Sequence, residues 1–359
     1  MMCDSDHVHS IHCILPPHML ETIGLRGDKK QRSMVDGLMR NAERYRMERS
    51  ESSVSPMMAM AQMEAEESDD FSAVVVDREV YDGQRRASLP GKLARKEGDC
   101  PVDDEVVNIA YDASGDVFDL YYQEYDRNSL DGLGMTLVST VHHRNKFNNA
   151  FWNGRQMAYG DGDGVIFSRL TELSIIGHEL THGVIQFSGG LIYRDQPGAL
   201  NESFADVFGA LTTQYKLKQS AAEASWVIGE GTFGPEINGE GLRSLKAPGE
   251  AYDDRLLGKD PQPFHMDLYR NMQADNGGVH INSGIPNHAF YLLSQYLGGN
   301  AWEKAGHIWY DTLQTINNPG ATFDEWADKT VEMARKRFGT GSREAIFTRR
   351  AWFLVGISV

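Results

Sequence analysis

Two histidines and a glutamate stand in a spacing that suits hydrolytic metal chemistry. His178, Glu179 and His182 lie in Gly177-His178-Glu179-Leu180-Thr181-His182-Gly183. Around them Leu173, Ile176, Leu180, Val184 and Phe187 recur at three- and four-residue steps. That period predicts a helix with one buried face. Residues four apart on a helix lie one turn apart on the same side, so His178 and His182 can offer two imidazole nitrogens to one ion. Glu179 would project beside that ion, where a carboxylate can take a proton from metal-bound water. The pattern is short, and a helix that merely carries two histidines is the competing reading. A hydrolytic zinc site needs three protein ligands and an open position for water. Glu202 is a candidate for the third. It sits in Asn201-Glu202-Ser203-Phe204-Ala205-Asp206, inside a helix predicted over 199–217. The stretch from Ser188 to Pro197 is long enough to reverse the chain between two antiparallel helices. Asp206, one turn beyond Glu202, would accept the free N–H of a ligand histidine and fix its ring. A solvated carboxylate is the competing reading for Glu202.

The chain that must position these groups has 359 residues, 41% of them hydrophobic. That suffices for two domains, or for one large domain and a tail. Acidic residues outnumber basic ones 51 to 35, a formal charge of −16. Nucleic acid and anionic membranes need basic patches, so neither is an expected partner. No apolar run reaches the length of a membrane-spanning helix. The start, Met1-Met2-Cys3-Asp4-Ser5-Asp6-His7, lacks the features of a secretory signal; export by another route and action inside the cell both stay open. Three cysteines, Cys3, Cys13 and Cys100, do not suggest a disulfide scaffold. Cys13 as an inhibitory zinc ligand stands against Cys13 as a plain thiol.

Along the chain, residues 1–50 form a first unit. It has an extended Pro16-Pro17 pair, a helix after it through Met19, Leu20 and Ile23, and a second helix over 33–47. Fifty residues make a weak core alone, so the unit is expected to pack on another surface. Residues 51–70, rich in Ser, Met, Ala and Glu, read as a linker, or as a short helix at their Met-rich centre. From 71 to 188 the signals are mostly strand: 73–80, a mixture of helix and aromatic alternation over 108–125, and 137–142. This part ends in the His178 helix. The Gly160–Gly164 run reads as a turn, with cation binding by Asp161 and Asp163 as the alternative. From 189 to 359 the pattern is helical, with helices over 282–297 (capped by Asn282 or Ser283), 302–316, 323–337 and 343–353.

Taken together, these blocks resemble the thermolysin-like zinc metalloproteases, which carry a His-Glu-x-x-His helix followed by an Asn-Glu-x-x-x-Asp helix. Asn149-Ala150-Phe151-Trp152, Gly190-Leu191-Ile192-Tyr193, Leu242-Arg243-Ser244 and Asp275-Asn276-Gly277-Gly278-Val279-His280 match further family blocks in the family's order. The resemblance implies an α+β fold in two lobes, the first strand-rich and the second helical, with the metal helix between them. It implies one catalytic Zn²⁺ on His178, His182 and Glu202, and Glu179 as general base on the metal-bound water. Tyr193 and His280 would stabilise the oxyanion, and Asp275 would orient His280. Asn149 and the Ala150 carbonyl would bind substrate backbone, and Arg243 would brace the substrate-side pocket. Phe167, Leu170, Ile175 and Leu242 would line an apolar pocket after the scissile bond, or else be ordinary core. The family's double calcium site is implied to be lost, because Ser174, Thr213, Ser225 and Val227 stand at its positions and only Glu230 remains. Pro16-Pro17-His18-Met19-Leu20 resembles the short propeptide motif of the protealysin-like members. Residues 1–50 are therefore expected to be an inhibitory propeptide, with processing within 51–70. The expected activity is neutral endopeptidase cleavage of peptides and proteins before large hydrophobic residues, by a zymogen whose family is secreted. A catalytically silent binding protein and a zinc exopeptidase are the alternatives.

Overall fold

A computed structural model describes residues 12–50 and 75–359, and the side chains of 13–39 and 75–359. The expected linker over 51–70 and Cys3 lie outside the described residues. A six-stranded sheet is built from β1 (His12–Cys13), β2 (Arg78–Asp82), β3 (Lys92–Lys96), β4 (Leu137–Val141), β5 (Ala150–Trp152) and β6 (Met157–Tyr159). Its order is β1-β5-β6-β4-β2-β3. The helices are α1 (Pro17–Arg26), α2 (Lys29–Ser50), α3 (Glu105–Tyr125), α4 (Leu173–Phe187), α5 (Asp195–Leu217), α6 (Asp275–Asn282), α7 (Gly284–Leu297), α8 (Lys304–Thr315), α9 (Phe323–Phe338) and α10 (Arg343–Leu354). Among the described residues no helix is long and apolar enough to cross a membrane.

Strand β1 comes from the N-terminal segment and adds to the sheet edge. It runs antiparallel to β5, with His12 opposite Trp152 and Cys13 opposite Phe151. After it the chain leaves the sheet. Pro17 opens α1 at a position where a missing N–H costs nothing. Helix α1 buries Met19, Leu20 and Ile23 on one face. On its polar side Arg26 donates to the Arg255 carbonyl at 3.2 Å.

Three sequence expectations are adjusted here. The aromatic alternation over 108–125 belongs to one helix, α3. Asp104 caps it by accepting from the amides of Val106 and Val107, and Tyr111, Phe118, Tyr121 and Tyr125 fall at steps of seven, three and four on a buried face. The expected helix over 282–297 starts at Gly284, with Ser283 at its N-cap position but making no side-chain cap; Ser283 also follows the last residue of α6, so the start is a junction of two helices. The Asn282 side chain is spent on both backbone groups of Arg270, at 2.9 and 3.0 Å, and Ser283 Oγ donates to the His280 carbonyl. Helix α5 also starts earlier than expected, with Pro197 in its first turn, where helices tolerate proline.

Helices α4 and α5 position the candidate ligands, and two glycines set their spacing. A methyl group on Gly177 would stand 3.0 Å from the Gly209 Cα, and one on Gly209 would stand 2.5 Å from the Ser174 carbonyl oxygen. These two neighbours are backbone atoms that cannot turn aside, and the Thr212 side chain crowds Gly177 as well, at 2.9 Å. Both helices are buried on nearly every face at this crossing. The N-terminus of α4 is held by Glu172, whose carboxylate accepts from the amides of Ser174 and Ile175. Gly209→Ala should gain up to about 1 kcal/mol of helix propensity and lose about 1–3 kcal/mol to overpacking. The expected net result is destabilisation in urea unfolding; a neutral or stabilised variant would mean that the crossing does not limit the helix spacing.

Candidate metal centre and cleft

His178 and His182 face one another from successive turns of α4, their Nε2 atoms 3.0 Å apart. Glu202, on α5, places its carboxylate oxygens 3.6 Å from each. All three side chains are buried, and their ligand atoms lie within 4.8 Å of one another. The far nitrogens decide what this cluster is for. His178 Nδ1 lies 2.8 Å from Asp206 Oδ1. His182 Nδ1 lies 2.9 Å from Asn201 Oδ1, whose amide nitrogen donates to the Leu191 carbonyl. Both acceptors require N–H at Nδ1, so each neutral ring turns a lone pair inward at Nε2. Two lone pairs and a carboxylate converge, which is the donor set of a hydrolytic zinc centre, and the residues fit that ion. Among the described residues this is the one such group.

Asp206 does more than orient His178. Arg243 donates to it through Nε and Nη2 at 2.8 Å, and Asn287 donates at 2.9 Å. Burial would push this carboxyl up, but Arg243 and His178 outweigh burial and hold it below the usual range. On the other side of the cluster, Tyr193 OH donates to Glu202 and lies 3.2 Å from His280 Nε2. Burial, and then Glu202, push the Tyr193 phenol well up, so it keeps its proton. His280 Nδ1 lies 2.6 Å from Asp275. Burial alone would lower His280, but Asp275 and Glu202 raise it to about 9. The backbone from Asp275 to Gly278 is left-handed throughout, a tight corner before the turn that carries His280. Glu179 accepts from the Trp152 amide of β5 at 2.9 Å, so its carboxylate is fixed between helix and sheet edge.

The N-terminal segment runs along that edge. The Ile14 amide donates to the Ala150 carbonyl at 3.2 Å. The Leu15 amide donates to Asn149 Oδ1 at 3.3 Å. Arg243 Nη1 donates to the Ile14 carbonyl at 3.1 Å. Ile14 is fully buried, as are Phe167, Leu170, Ile175 and Leu242.

Comparison with known proteins decides the family. Residues 28–186 match the catalytic domain of the thermolysin metallopeptidases, and residues 189–357 match their alpha-helical domain. The chain belongs to the thermolysin metallopeptidase family. It is 43% identical over 348 residues to an extracellular metalloprotease of Pectobacterium carotovorum subsp. carotovorum, covering 96% of each chain. It is 49% identical to protease PrtS of Photorhabdus sp. (strain Az29) over 81% of this chain and 79% of that one. A solved precursor of protealysin, a metalloproteinase from Serratia proteamaculans, is 44% identical with a TM-score of 0.85, covering 97% of this chain and all of that one. This thermolysin-family chain is thus a metalloendopeptidase with the two-lobed α+β fold, of the protealysin-like kind.

Every residue expected to touch the metal lies at the cluster. Asp206, Tyr193, Asp275, His280 and Arg243 gather around it, while Asn149 and Ala150 sit on the adjoining edge. Sequence reasoning missed Asn201, Asn287 and the Trp152 amide. Asn201 precedes Glu202 directly, and its side chain had no pattern of its own to read. Asn287 lies on a distant helix, and a backbone amide leaves no trace in residue type.

Proposed function

We propose that this protein is a zinc-dependent neutral endopeptidase made as a zymogen, with residues 1–50 as its propeptide. It would cleave before large hydrophobic residues and act outside the cell, as the relative named an extracellular metalloprotease does. His178, His182 and Glu202 would hold the zinc, which when bound polarises the attacking water and the scissile carbonyl. Glu179 takes the proton of that water and later passes it to the leaving amine. Tyr193 and His280 donate to the developing oxyanion, and Asp275 keeps His280 in the donating tautomer. The observation that carries this reading is the hydrogen-bonded path of Ile14 and Leu15 on Ala150, Asn149 and Arg243. A propeptide held by three backbone-directed bonds occupies the groove as an extended substrate would, with Ile14 as the first residue after the scissile bond. Phe167, Leu170, Ile175 and Leu242 would then wall the pocket for that side chain. Glu179→Ala in the mature enzyme should retain one zinc and lose at least about 10²-fold in kcat on an internally quenched peptide. Turnover within a few fold of the wild type would remove Glu179 as the base. Absence of turnover in the fully zinc-loaded wild type would sink the enzyme reading.

Stability is proposed not to draw on the family's double calcium site. Ser174 Oγ donates to Glu172, the cap of its own helix, at 2.5 Å and accepts from the Gly229 amide at 2.8 Å, so one hydrogen bond links α4 to the loop at Gly229. Burial, the main cause, raises the Glu172 carboxyl despite the Ser174 bonds, with Glu230 adding to the rise. A calcium-selective chelator should shift Tm by less than about 2 °C, because a ligand that binds the native state at saturation contributes several kcal/mol. A fall of about 10 °C, reversed by added calcium, would refute this.

Propeptide inhibition should weaken in acid. His18 Nε2 lies 3.2 Å from the Tyr252 hydroxyl, and its Nδ1 is buried with no hydrogen-bond partner. Desolvation is the main cause of a fall in its pKa to about 4. Arg243, Arg270 and His280 add to that fall, and Asp275 opposes it. The bound state thus prefers neutral His18, and a released propeptide regains a pKa near 6.5. By linkage, binding is at full strength above 6.5 and declines as pH falls from there towards 4. The inhibition constant of a residue 1–50 peptide against mature enzyme should rise across that window and should flatten in His18→Gln. An unchanged slope in the variant would assign the effect elsewhere.

A further inference from the structure

We propose that Arg85 and Lys146, beside Arg144, form an anion-selecting subsite that favours substrates with acidic side chains at the fourth and fifth residues after the scissile bond. This rests on the substrate register argued above. In that register each later substrate residue meets one earlier residue of the edge. Ile14 meets Ala150 and Leu15 meets the Asn149 side chain; before these the chain leaves β5 for a turn at Asn145 and Lys146, so a substrate running on would come beside Phe147 and Lys146 at about its fourth and fifth residues. The propeptide itself does not reach them, because Pro16 and Pro17 turn it into α1. A substrate without those prolines can continue. What lies ahead of it is the strand-lobe wall of a groove of about 570 Å³, with Arg85, Arg144, Lys146 and Phe147 on it; the opposite wall is α2, with Met34, which departs with the propeptide and leaves these side chains open to substrate in the mature enzyme. The groove adjoins the binding edge, since Asn148 donates to Met34 Sδ at 3.6 Å.

The cations are mounted on a stiff platform. The Arg85 amide donates to the His142 carbonyl at 2.9 Å, and the Arg144 amide to the Arg86 carbonyl at 3.0 Å. His142 is pinned between Asp161 at 2.6 Å and Asp104 at 2.9 Å. Gln84, Arg85, His142, Arg144 and Lys146 all have left-handed backbone, with φ between 52° and 58°. Such conformations cost about 1–3 kcal/mol each and gather at functional sites. The acids near the cations each accept hydrogen bonds from other groups; Asp28, on the α2 wall, accepts from the amides of Lys30 and Gln31. Asp104 and Asp161 hold His142, Asp82 accepts from the Gln84 amide, and Asp163 accepts from the amides of Val165, Ile166 and Phe167. Arg85 and Lys146 are exposed, and among the described residues neither side chain has an ion-pair partner. In a chain of charge −16, this is a local cationic field facing the path of the substrate.

The test compares quenched peptides that share one scissile sequence and differ only in having Glu-Glu or Lys-Lys at the fourth and fifth positions, cleaved by mature zinc-loaded enzyme. Glu-Glu should be favoured about fivefold in kcat/KM at low salt, carried by KM, as expected for two exposed ion pairs. The preference should vanish near 0.5 M salt through screening. The double variant Arg85→Glu, Lys146→Glu should invert the preference, a gain on Lys-Lys peptides that a misfolded protein cannot produce. Equal rates for the two tails in the wild type, or a preference that survives the double variant, would overturn the subsite. A peptide ending at the second residue after the scissile bond separates the readings: if the wild type does not cut it at the designed bond, the register itself has failed and the subsite falls with it.

Discussion

The carboxylate of Asp206 ties the structure together. It is buried, it is the partner of His178, and it receives two bonds from Arg243 and one from Asn287. A buried charge is tolerated only when its attractions offset the loss of water, and here Arg243 and the two hydrogen-bond donors supply them. The same guanidinium spends its remaining nitrogen on the carbonyl of Ile14. Orientation of a metal ligand and grip on a bound backbone therefore run through one ion pair. The two helices, the short strand carrying Arg243 (Arg243–Ser244) and the segment in the cleft are fixed relative to one another by that contact.

The close crossing at Gly177 and Gly209 makes the contact possible. Larger residues there would push the helices apart and carry Glu202 and Asp206 away from the His178 helix. The sheet contributes from the other side, where the Trp152 amide fixes Glu179. The metal cluster is thus the place where three packing constraints meet, and its rigidity follows from close packing more than from any single bond.

Much of this was legible in the residues. The His178 helix announced itself by its period, and Glu202 with Asp206 by their place on the next helix. Tyr193, Asp275, His280 and Arg243 could be found only through the resemblance, because their partners lie far away in the chain. The helix α3 was obscured because large aromatics suit strands as well as helices, and the Asp104 cap was not weighed against them. The junction at Asn282 was misread because an Asn before a helix looks like a cap, whereas its amide is committed to Arg270. Asn201 and Asn287 were invisible for the reason most orienting residues are. A single amide side chain gains meaning only from what it faces.

Strand addition at β5 has a consequence for the choice of substrate. A backbone read by an edge strand must arrive extended, with its own amides and carbonyls unpaired. Helices and the interior strands of folded proteins do not meet that condition until they open. In the proposed mature enzyme, the rate at which a protein is cut would then follow the free energy of local opening around each bond more closely than the residues flanking it. Selectivity of this kind spares well-folded neighbours, the enzyme's own fold among them, and consumes chains that have lost their structure.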